Sequence, residues 1–103
     1  NSRRLFGALV RRFANSCHNA GKTPVLLIIP QPVDLVRLSQ GQRDYQEFLS
    51  QLGGLNVIDM TETFVNNMES QNLYVEGALG PHVSAQGNYL IAQAVSKQIK
   101  TRL

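Results

Sequence analysis

Cysteine is nearly absent. Cys17 is alone among 103 residues, so no internal disulfide can form, and the redox compartment stays open. Histidine is scarce too, with only His18 and His82. Cys17 and His18 are adjacent, so on a helix they point about 100° apart. Two histidines and one cysteine in this arrangement do not make a metal site, and no cofactor is expected. A small buried cysteine beside a surface histidine describes the pair. Long apolar runs are also missing: the longest, Val25 to Ile29, is far too short to span a bilayer. Charged residues are only 17% of the chain against 43% hydrophobic. That balance excludes a disordered tail and fits one globular domain over residues 1–103. No internal repeat, low-complexity segment or visible signal peptide occurs, although a signal removed earlier would leave no trace. The chain opens on Asn1 rather than Met, so an upstream segment is expected.

The net charge is +3, with Arg3, Arg4, Arg11 and Arg12 near the start. A basic helix face can meet nucleic acid or anionic lipid. No aromatic residue lies on the arginine face to stack a base, so the simpler reading is a solvated face without a nucleic-acid partner.

Helix and strand signals alternate along the chain. Residues 3–19 carry Phe6, Leu9, Val10, Phe13 and Cys17 at helical spacing, and Gly21 suits the cap that ends the helix. Val25 to Ile29, bounded by Pro24 and Pro30, reads as a strand buried on both faces. Residues 31–41, punctuated by Pro32 and Gly41, read as loop with at most a turn of helix. Residues 42–52 read as a helix with Tyr45, Phe48, Leu49 and Leu52 on one stripe, followed by a Gly53-Gly54 turn. Residues 56–60 form a second strand. A short helix runs from Thr61 to about Met68, with Glu62 near its positive end. Residues 70–83 read as irregular. Ser84 caps a last helix that carries Leu90, Ile91, Ala94, Val95 and Ile99.

This order implies parallel strands joined by crossovers. Parallel strands normally lie inside a sheet covered on both faces, and a two-stranded sheet is poorly stable alone. The expected fold class is therefore α/β. Specifically, the chain reads as the C-terminal portion of a doubly wound, flavodoxin-like, three-layer domain, completed by an upstream half or by self-association.

The most informative stretch is Gly80-Pro81-His82-Val83-Ser84-Ala85-Gln86-Gly87-Asn88-Tyr89-Leu90, a histidine two residues before a helix cap. It resembles the last block of the SGNH (GDSL-like) serine hydrolases, where the catalytic histidine precedes a small or polar helix start, then glycine, then an apolar helix. The flanking PVLLIIPQP and NVIDMTETF segments resemble that family's fourth and fifth core strands, so the resemblance spans nearly the whole chain. The His-x-Ser-x-x-Gly-Asn string alone is moderately specific.

The resemblance implies that His82 is the general base of an ester hydrolase or acyltransferase. It would take the proton of a serine hydroxyl and return it to the leaving group. An imidazole suits that task because free histidine side chains titrate near neutral pH. The plain alternative is a loop histidine bonded to the helix start. The family usually carries an Asp two or three residues before the histidine, where this chain has Gly80 and Leu79. Glu76 is the nearest upstream carboxylate and a candidate replacement, or a surface loop residue. A backbone carbonyl is another candidate orienter. Asp59 is weaker, because capping the following helix explains it better.

The nucleophile is expected outside the sequence, with the family's oxyanion-hole Gly and Asn. No Gly-Asp-Ser or Gly-x-Ser-x-Gly is present, and Ser84 is better explained as a cap. Gly87, inside the last helix, costs about 1 kcal/mol against alanine, which points to close packing there. The implied substrate is an ester or acylated small molecule, lipid or glycan, with residues 31–41 and 70–81 shaping the pocket. Two other readings are a non-catalytic domain of the same fold that binds a glycan or protein, and a basic module acting through the N-terminal arginines.

Overall fold

A computed structural model describes residues 2–42, 48–49 and 51–102. In chain order the elements are α1 (Ser2–Asn19), β1 (Val25–Ile28), α2 (Pro32–Ser39), β2 (Asn56–Asp59), α3 (Thr61–Asn67), β3 (Tyr74–Val75), β4 (His82–Val83) and α4 (Ala85–Arg102). β1 and β2 pair as a two-stranded parallel sheet, and β3 and β4 as a two-stranded antiparallel ribbon. The mixed α/β character is therefore present. The chain divides into two compact units, Asn1–Leu26 with Arg43–Val57, and Leu27–Gln42 with Ile58–Leu103.

In the first unit, α1 ends in a Schellman motif. The Lys22 N–H donates to the Cys17 carbonyl and the Gly21 N–H to that of His18. Gly21 takes φ +71°, a backbone that an L side chain rarely adopts. Val10, Leu49 and Leu52 are buried, and the Phe6 and Phe48 rings lie 5.8 Å apart. The expected apolar stripe of α1 is only partly covered: Phe6, Leu9 and Phe13 are 44%, 56% and 52% exposed. Phe48 and Leu49 are helical, while Tyr45 and much of the expected 42–52 helix lie outside the described residues.

In the second unit the core gathers Leu35, Ile58, Met60, Phe64 and Leu73, with Leu27, Tyr74, Val83, Leu90 and Ile91 packed against it. Two sequence expectations are corrected here. Residues 31–41 are not mainly loop, since α2 occupies most of them. Pro32 sits in its first turn, where the missing N–H costs nothing, and the Gln31 N–H donates to the Asp34 carboxylate at 2.8 Å. Gly41, at φ +78°, closes a second Schellman motif through Gly41 N–H to Leu38 O and Gln42 N–H to Arg37 O. Residues 70–83 are not wholly irregular either, because they form the β3–β4 ribbon. A third expectation also fails: β1 is not buried on both faces, and Val25 and the following Ile29 stay exposed. Two strands leave too little cover for either.

At the end of β2, the Asp59 carboxylate accepts from the Thr61 N–H at 3.0 Å and the Thr61 hydroxyl at 2.6 Å. Asp59 is thus held just before α3 by a bond to its first residue, while the N-cap position itself is Met60. Phe64, fully buried one turn on, meets Tyr74 edge-on at 5.8 Å.

Candidate active site

The β3–β4 ribbon carries His82. Its register pairs Tyr74 with Val83 and Val75 with His82. Directly opposed residues share a face, and neighbours along a strand alternate. Tyr74 and Val83 pack on the core, so Val75 and His82 point to the other side, and both are exposed.

Two anchors fix the ribbon. The first is the Tyr74 hydroxyl, which donates to the Pro30 carbonyl at 2.6 Å. Pro30 is buried two residues beyond β1, so the ribbon is tied beside the carboxyl end of that strand. Burial, and then the nearby Asp34 carboxylate, push the Tyr74 phenol up to about 12. It therefore stays a donor across the neutral range.

The second anchor is Ser84, which is 5% exposed. Its hydroxyl donates to the Asn72 carbonyl at 2.6 Å and accepts from the Gly87 N–H at 3.2 Å. Its own N–H donates to the Leu73 carbonyl at 2.8 Å. Ser84 is a cap with its proton committed to a carbonyl, which supports setting it aside as a nucleophile. Gly87 explains why the helix starts so close. A Cβ there would lie 2.5 Å from Val83 Cγ1 and 2.8 Å from the Leu73 carbonyl oxygen. His82 consequently stands between a paired strand and a fixed helix cap.

The loop joining the two strands runs from Glu76 to Pro81. The Gly80 N–H donates to the Gly77 carbonyl at 3.1 Å, and Gly80 adopts φ +113°. The His82 imidazole lies against Gly77: an ideal Cβ on that residue would fall 2.6 Å from Cδ2 and 2.7 Å from Nε2 of the ring. Leu79, at the tip, is 97% exposed. Glu76 is exposed, and no hydrogen bond or ion pair joins it to His82 among the described residues. The two sequence candidates are thus near in the chain without being bonded.

Sequence reasoning missed Tyr74 and Gly77. The available signal was two short pairs, Tyr74-Val75 and His82-Val83, separated by a loop containing Gly77, Gly80 and Pro81, which is hairpin chemistry. His18, on the last turn of α1, is exposed and Cys17 half-buried. No group of three or more metal-ligating side chains gathers among the described residues. A cavity of about 250 Å³ lies within the first unit, lined chiefly by Val10, Ala14, Leu52 and Leu55 with Arg11 and His18 at its polar side. It contains neither candidate residue. Among the described residues no helix is long and apolar enough to cross a membrane. No protein-family model, curated protein or solved structure matches this chain.

Proposed function

We propose that this chain is the C-terminal half of an SGNH-type serine hydrolase domain, with His82 as general base and the nucleophilic serine supplied by polypeptide outside the sequence. The complete domain is a doubly wound, flavodoxin-like three-layer sandwich. The observation that carries this reading is the Tyr74 to Pro30 hydrogen bond. It ties the His82 ribbon to the carboxyl end of β1, and in open α/β sheets ligands collect outside the carboxyl ends of the strands. The exposed apolar residues of α1 and β1 support the same reading, since a parallel sheet is normally covered on both faces.

In the proposed reaction the serine Oγ attacks the ester carbonyl carbon while a ring nitrogen of His82 takes the hydroxyl proton. The tetrahedral intermediate collapses, the ester C–O bond breaks, and His82 returns the proton to the departing alkoxide. Water, or a sugar hydroxyl in acyl transfer, then gives its proton to His82 and attacks the acyl-serine, whose C–Oγ bond breaks as His82 returns the proton to the serine oxygen. The substrate class is an ester of a small alcohol, a lipid or a glycan. In the full natural polypeptide, His82→Ala is expected to lower ester turnover by a factor on the order of 10⁴. Undiminished turnover would exclude the mechanism.

One observation favours a second reading, a domain of the same fold that binds a glycan or protein without chemistry. No carboxylate is bonded to His82 among the described residues. That reading predicts saturable ligand binding with no ester turnover in the full polypeptide.

A further inference from the structure

We propose that the Gly77–Gly80 turn, and not a carboxylate, positions the His82 imidazole. This rests on His82 being the base. An exposed imidazole with no side-chain partner samples several rotamers, and each unproductive one subtracts from catalysis. Here the ring has a seat. Its Cδ2–Nε2 edge lies so close to the Gly77 backbone that a methyl group would stand 2.6–2.7 Å from both atoms. Only glycine leaves that space open. The same point lies 2.9 Å from the Gly80 carbonyl oxygen, so ring and carbonyl flank one small volume. The turn that makes the seat is closed by the Gly80 N–H to Gly77 carbonyl bond. Its geometry needs the positive φ of Gly80. Glycine thus recurs in this loop for two different reasons, room for the ring at 77 and backbone shape at 80.

Gly77 itself is not in the left-handed region, so alanine suits its backbone. The crowding created by Gly77→Ala falls on the movable imidazole and, at 2.9 Å, on the Gly80 carbonyl, so the turn backbone must shift as well. The expected consequence is a displaced base in a folded protein, which makes Gly77 a positioning residue.

Two measurements test this. In NMR spectra of the full polypeptide, the His82 Hδ2 proton should show cross-relaxation to the Gly77 α protons. Absence of that contact overturns the proposal, whatever the enzyme does. In the full polypeptide, Gly77→Ala should lower kcat on the order of 10²-fold with little change in KM. The loss should exceed that of Glu76→Gln measured beside it. A Gly77→Ala enzyme with wild-type kcat, or a larger loss in Glu76→Gln, overturns the seat. Neither result touches the role of His82, which the His82→Ala variant reads separately.

Discussion

At the scale of single residues, small side chains decide where the larger ones stand. Gly87 is the clearest case because two effects oppose each other there. Alanine would gain about 1 kcal/mol of helix propensity. Against that, its methyl would meet Val83 at 2.5 Å and a backbone oxygen, that of Leu73, at 2.8 Å. Overpacking of this kind costs about 1–3 kcal/mol, and a carbonyl in a hydrogen-bonded turn yields less readily than a side chain. Gly87→Ala is therefore expected to destabilise the chain by up to about 2 kcal/mol in urea unfolding. A stabilised variant would show that α4 can lift away from β4 at little cost. The sequence exposed this position, since a glycine inside an otherwise apolar helix asks for a packing reason. Gly77 was not legible in the same way. Its role depends on a ring five residues further on, and only the pairing of Val75 with His82 brings them together.

At the scale of elements, helix ends were readable and the short ribbon was not. Gly21, Asp59 and Ser84 have local chemistry that declares a boundary, whether a positive φ or an oxygen that accepts a helix N–H. α2 is hard to see in the sequence because Pro32 reads as punctuation, yet it belongs to the first turn. β3 and β4 are two residues each, too short for any periodicity to register. They persist because of tertiary anchors, above all the Tyr74 hydroxyl on the Pro30 carbonyl. Tyr74→Phe should cost about 1 kcal/mol of stability near neutral pH. Linkage adds a pH signature. Both states hold the phenol proton below pH 10, and between about 10 and about 12 only the folded state does. The stabilising contribution is thus complete below pH 10 and is lost as pH rises towards about 12. The stability gap between wild type and Tyr74→Phe should narrow over that window. A gap that stays constant contradicts the anchor.

At the scale of the whole molecule, the mixed helix and strand character and the parallel pairing of β1 with β2 were legible from alternating periodicity, while most of the helix expected at 42–52 lies outside the described residues. Burial was less legible. Periodicity marks which face of α1 is apolar but not what covers it, and Phe6, Leu9 and Phe13 remain substantially exposed. A short run such as Val25 to Ile29 likewise signals burial that two strands cannot provide. Under the proposed function, the serine that His82 would serve lies outside this sequence. The central claim is that His82 activates a serine in the complete domain. The most direct test is covalent labelling of the full polypeptide with a fluorophosphonate, read by mass spectrometry in the wild type and in His82→Ala. The account predicts a single labelled serine outside residues 1–103, modified rapidly in the wild type and only slowly in His82→Ala. No labelled serine, or one labelled equally fast in both, would contradict it.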